Sequence, residues 1–175
     1  MDNAVSKIRE ELHQLMIDGI KYEKIGGKIY EMTLFDDSDF EIYIDNFTHE
    51  VGKTQATDED KQKAREKTIY ENYIPLDSNV ESQFAKDCET SNDIEFYFKL
   101  PFWFKINTPI GTYNPDWAVV FKGEKRIYFV AETKGKDEEL RPTAKMKIHC
   151  GKEHFEQFDE VKFIGPISSV TELNN

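Results

Sequence analysis

Three charged side chains stand at the ends of two adjoining apolar runs. Asp116 opens "WAVVF" (117–121), while Glu132 and Lys134 close "IYFVA" (127–131). The runs read as a β-hairpin, and pairing Phe121 with Ile127 closes it with the three-residue loop Gly123-Glu124-Lys125, a common hairpin length. That register sets Val119 opposite Phe129 and Asp116 opposite Glu132, and Lys134, two residues on, points the same way. Opposed Cβ atoms lie about 4.5–5.5 Å apart, so two such carboxylates repel unless a cation lies between them. A hard divalent ion with oxygen ligands suits that gap. The alternative is a surface ion triad at a fraying hairpin end.

The elements that must hold these groups follow from periodicity. Val5, Ile8, Leu12 and Leu15 fall at helical spacing in residues 3–16, and "KIYEMTLF" (28–35) and "FEIYIDNF" (40–47) read as strands. Residues 48–67 turn polar and charged, a linker or a solvated helix. Gly52-Lys53-Thr54 ends like a phosphate-binding loop, but Phe47 stands where its first glycine must be, which removes that motif. "DSNVESQFAKDCE" begins a helix, with Ser78 as N-cap and Glu81 as its capping-box partner. Strands are expected at 95–100 and 102–107, then the loop "TPIGTYNP", the hairpin, and a helix over "RPTAKMKIHCGKEHFEQF" with the apolar stripe Ala144, Ile148, Gly151 and Phe155. "VKFIG" (161–165) is a last strand. The fold class is therefore α/β in the broad sense, an α+β mixed sheet flanked by helices, with an N-terminal appendage over 1–70 and the main domain over 71–175.

Composition narrows the setting. In 175 residues, 38% hydrophobic and 13% aromatic side chains are enough for a core. No apolar run reaches membrane-spanning length, and the charged N-terminus is unlike a signal peptide. Two cysteines, neither in a CxxC, argue against a zinc site or a disulfide framework and point to the cytoplasm. A net charge of -11 opposes any grip on nucleic acid by bulk electrostatics.

Glu-x-Lys occurs three times, at Glu59, Glu132 and Glu160, but only the Glu132 copy ends an apolar β run. It alone follows, sixteen residues behind, an Asp after a Pro at a strand start. Pro115-Asp116 and Glu132-Thr133-Lys134 together resemble the PD-(D/E)xK nuclease superfamily. "DSNVESQFA", "KLPFWFKINTPIGTYNPDWAVVF", "YFVAETKG" and "LRP…KIHCGKEHF" narrow this, over about residues 70–158. They resemble the C-terminal endonuclease domain of the Res subunit of type III restriction enzymes, and "IKYEKIGGKIYEMTLF" is similar to the segment before it.

The resemblance implies a restriction-endonuclease-like core and a Mg²⁺-dependent deoxyribonuclease, with Mn²⁺ able to substitute. Asp116 and Glu132 would be the metal's side-chain ligands and the Thr133 carbonyl a third oxygen. Lys134 would orient or deprotonate the attacking water, or stabilise the transition state. Glu81 would be the acid that the preceding helix adds to the site. Arg141, Lys145, Lys147 and Lys152 form a cationic patch, with DNA phosphates or plain solvent as its partner; Trp103 and Trp117 read as core. DNA, a helicase-like motor of the same subunit and a methyltransferase (Mod) subunit are the implied partners, ATP entering only through that motor. No Walker motif occurs here, so the chain reads as a fragment of a larger protein or as a stand-alone relative. A nuclease of other specificity and a docking module with a decayed site stay open as alternatives.

Overall fold

The computed structural model describes Lys7, Glu11, Leu12 and residues 48–174, apart from 125–126, 131 and 134–139. The strands expected at 28–35 and 40–47 lie outside the described residues, as does most of the helix expected over 3–16; Lys7, Glu11 and Leu12 within it are helical.

A short antiparallel pair, β1 (Thr48–Glu50) and β2 (Tyr73–Pro75), brackets α1 (Asp58–Glu66). The polar stretch that read as linker or solvated helix thus forms α1. Thr57 caps it, three acids fill its first turn, and Ala64 is its buried residue. Next come α2 (Asn79–Thr90), β3 (Ile94–Lys99), the small hairpin β4 (Ile106–Thr108) and β5 (Gly111–Tyr113), then β6 (Trp117–Phe121) and β7 (Ile127–Val130). Helix α3 (Pro142–Phe155) and β8 (Val161–Ile164) follow, before a closing 3-10 turn over Val170–Asn174. Residues 102–105, expected in a strand, form a turn instead: Pro101 breaks the ladder, and the Phe104 N–H donates to the Pro101 carbonyl at 2.9 Å.

The main sheet runs β3-β6-β7-β8, antiparallel except for the parallel β7–β8 pair. It is a mixed sheet flanked by three helices. Alternation along β6 divides the core in two. Trp117 and Val119 join Tyr97 and Tyr128 against Phe84, Ala85 and Cys88 of α2, with the Phe84 and Trp117 rings 5.2 Å apart. Ala118 joins Phe98, Phe129 and Phe163 against Ile148 and Phe155 of α3. Among the described residues, no helix is long and apolar enough to cross a membrane.

The hairpin register differs by one residue from the expectation. Val119 pairs with Tyr128 and Ala118 with Phe129, so Phe121 is not opposite Ile127. Gly123 takes φ +77°, and the Glu124 N–H donates to the Phe121 carbonyl at 3.1 Å, turning the chain early. A one-residue slip exchanges the two faces of a strand. Here it sends Phe129 to the α3 side, where its ring lies 4.8 Å from Phe155 and 5.5 Å from Phe104. The register is set by that aromatic cluster.

Helix α3 approaches the sheet closely at Gly151, where a Cβ would lie 2.8 Å from Phe163 Cζ. The Phe163 ring stacks on Phe155 at 5.3 Å, so it has little room to withdraw. Replacing a mid-helix glycine by alanine ordinarily gains up to about 1 kcal/mol. At Gly151→Ala the clash, on the scale of about 1–3 kcal/mol for an overpacked core, should reverse that sign. A lowered urea midpoint is the expected readout.

A buried polar knot ties β1 to the far end of α2. The Glu89 carboxylate accepts from His49 Nε2 (2.8 Å), the Gly52 N–H (3.1 Å) and Gln55 Nε2 (3.0 Å). Burial alone pushes the Glu89 carboxyl up, but these hydrogen bonds outweigh it and hold it below the ordinary range. Lys67 Nζ donates to the Glu89 and Ser91 carbonyls at 2.9 and 2.6 Å, closing the end of the helix.

Candidate active site

Asp116 sits at the start of β6, where several backbone bonds fix it. Its carbonyl accepts the Leu100 N–H at 2.8 Å, and Pro115 before it is fully buried. The Asn114 amide donates to the carbonyls of Phe104 (2.7 Å), Pro115 (3.1 Å) and Pro101 (3.3 Å), clamping the turn after β3 to the segment that enters β6. The aspartate is thus presented by a rigid strand end.

The slipped register means that Asp116 and Glu132 are not a cross-strand pair. The β6–β7 ladder ends at Trp117 and Val130, and the chain then leans toward the last strand. There Thr133 bridges Ile167 in parallel, and the Ile167 N–H donates to the Glu132 carbonyl at 3.0 Å. Asp116 meets this segment through its side chain. Its Oδ2 accepts both the Thr133 N–H (2.7 Å) and the Thr133 hydroxyl (3.1 Å). Thr133 is buried.

Asp116 is a buried carboxyl with other acids nearby. Burial, the largest cause, together with the nearby Glu132 and Glu81 charges, pushes its carboxyl up to about 7 against the pull of the Thr133 bonds. Burial first, then the same Asp116 and Glu132 charges, also push the Tyr113 hydroxyl up, so it stays neutral. Glu81 reaches the site from the first turn of α2. Ser78 caps that helix as expected, its hydroxyl accepting the Glu81 N–H at 3.2 Å. The reciprocal half of the capping box is absent, because Glu81 Oε2 accepts the Asp77 N–H at 2.7 Å instead of that of Ser78. The same oxygen accepts from Lys99 Nζ at 2.6 Å. Lys99 escaped the sequence reading; a charged residue closing the apolar run of β3 is the one signal that could have found it.

Lys134 lies outside the described residues. On α3, Arg141, Lys145 and Lys152 are exposed, and Lys152 lies 3.8 Å from Glu156. Lys147 turns the other way, its ammonium donating to the Thr112 carbonyl of β5 at 2.9 Å, which binds α3 to the small hairpin. Trp117 is core, as expected; Trp103 is half-buried against the exposed Phe102.

Among the described residues, no three His, Cys, Asp or Glu side chains converge to hold a metal ion. Two neighbouring carboxylates, one pushed up chiefly by its burial, suit the looser mode of Mg²⁺, which takes one or two carboxylates and draws its other ligands from water and substrate. A family model described as an endonuclease domain matches residues 66–169, more than half of the chain, from the end of α1 to just beyond Ile167. No curated protein and no solved structure matches the chain.

Proposed function

Because this chain belongs to the endonuclease-domain family, we propose that it hydrolyses DNA phosphodiester bonds as the cleavage module of a type III restriction enzyme's Res subunit. The observation that carries the reading is the Asp116 carboxyl, held at about 7 beside Glu132 and Glu81 inside the matched span. A carboxyl raised by burial and by neighbouring acids, inside the matched span, supports a working site over a structural ion pair.

Asp116 and Glu132 would hold the divalent ion, Mg²⁺ or Mn²⁺, which when bound supplies Lewis acidity and an activated water. Thr133 pins Asp116 Oδ2 with two bonds, so the carboxylate keeps one orientation through the reaction. Lys134 enters by resemblance alone, as the group that steers or deprotonates the attacking water or offsets transition-state charge. Arg141, Lys145 and Lys152 face solvent and would neutralise phosphates, which positions a strand without reading its sequence. A motor and a methyltransferase subunit would deliver the DNA, since a chain of net charge -11 repels a polyanion at long range.

This division of labour is tested by titrating labelled duplex with the chain alone. Binding should be weak and indifferent to sequence, and log K should fall with log[salt] at a slope of about -3 for three phosphate contacts. Submicromolar, sequence-selective binding at physiological salt would favour a self-sufficient nuclease instead.

A further inference from the structure

Glu81 carries a buried carboxyl group. Its side chain is 8% exposed, and its compensation comes from Lys99, whose own side chain is 13% exposed. The ammonium lies 2.6 Å from Glu81 Oε2 and 2.5 Å from Asp77 Oδ2. Asp77 is 85% exposed whereas Glu81 is buried, so the partner that depends more on Lys99 is Glu81. Burial pulls the Lys99 ammonium down, but its bonds to Asp77 and Glu81 outweigh it and hold it above the ordinary value. It is a permanent cation.

Its position matters as much as its charge. Lys99 pairs with Trp117 in the β3–β6 ladder, and the next residue, Leu100, donates its N–H to the Asp116 carbonyl at 2.8 Å. Lys99 and Asp116 therefore hang from one pair of strand ends. Glu81, which Lys99 holds, is close enough to Asp116 for its charge to be felt there.

We propose that Lys99 is a built-in counter-cation for Glu81, keeping that carboxylate out of the ligand set of the divalent ion held by Asp116 and Glu132. The inference rests on the metal-dependent reading above and adds to it a residue that limits how much negative charge the site offers. Lys99 is a positioning residue: it acts through Glu81. A third carboxylate left uncompensated would bind the ion more tightly and hold it in a geometry other than the working one.

The test is a Mn²⁺ titration of the chain by calorimetry at about pH 8. Lys99→Met should tighten Mn²⁺ binding by about tenfold, the scale of one unit charge acting across a partly solvated site. Lys99→Arg, which keeps the charge, should leave it within about twofold. Glu81→Gln should weaken binding at most about threefold in the wild type, yet by about tenfold or more in the Lys99→Met background, and this non-additivity is what a merely structural lysine cannot produce. Unchanged or weaker Mn²⁺ binding by folded Lys99→Met overturns the proposal. Should that variant not fold, Glu81→Gln alone decides: loss of Mn²⁺ as complete as in Asp116→Asn makes Glu81 a ligand and overturns it too. A wild-type chain that binds no Mn²⁺ overturns the metal site itself, a separate result that takes this inference with it.

Discussion

Asp116→Asn is expected to lower DNA cleavage by about 10³-fold or more while leaving the fold intact. Removing one preorganised electrostatic group from an active site commonly costs about 10²–10³ in rate, and here the change also strips a ligand charge from the ion. Asparagine keeps the shape and an oxygen that can accept the Thr133 N–H and hydroxyl, so the strand end should survive. Glu132→Gln should behave alike, as should Lys134→Ala if its implied role holds. On the proposed type III reading, the measurement is plasmid cleavage with Mg²⁺ by the motor-bearing enzyme, with its ATPase followed in parallel. Wild-type cleavage by Asp116→Asn or Glu132→Gln would remove the assigned site, whereas loss of ATPase as well would indicate misfolding.

The same substitution should stabilise the metal-free chain. The Asp116 carboxyl has its ordinary value at 3.8 and is pushed up to about 7 in the fold. A raised folded value means that the native state holds its proton more tightly than the unfolded state does. The contribution is therefore fully present below about pH 4, declines as pH climbs toward 7, and is gone above it. Each pKa unit is worth about 1.4 kcal/mol, so ionising this carboxyl costs the fold on the order of 4 kcal/mol. Asp116→Asn escapes that cost, and without metal it should melt several degrees above the wild type at pH 8, the gap closing toward pH 4. Mg²⁺ or Mn²⁺ should raise the wild-type Tm at pH 8 and leave the variant unmoved. Metal affinity should fall about tenfold per pH unit below 7, because the proton and the ion compete for Asp116. A wild-type melting curve that does not respond to pH between 4 and 8 would contradict the whole account of this carboxyl.

Much of the architecture was legible because its causes are local. Ser78 announces α2, short apolar runs mark β3, β6, β7 and β8, and the Ile148-Gly151-Phe155 stripe marks the buried face of α3. What escaped depends on partners distant in sequence. The hairpin register turned on a ring cluster assembled from Phe104, Phe129, Phe155 and Phe163, which no window of sequence contains. Asp116 does lie against the Glu132-Thr133 segment, but through a side-chain bond to Thr133 and not through the expected cross-strand pairing. Lys99 escaped notice because Asp77 and Glu81 lie 22 and 18 residues from it. The N-terminal elements and Lys134 lie outside the described residues.

Helix α2 holds Glu81 in its first turn and Glu89 in its last, about 12 Å apart at 1.5 Å per residue. One end is bolted to β1 and the turn after it by the His49, Gly52 and Gln55 bonds; the other reaches the carboxylates. Between them Phe84 and Cys88 are wholly buried, which leaves the rod no slack in which to bend. The helix is therefore a strut. A displacement of the His49–Glu89 knot would therefore be passed to Glu81 through one continuous helix.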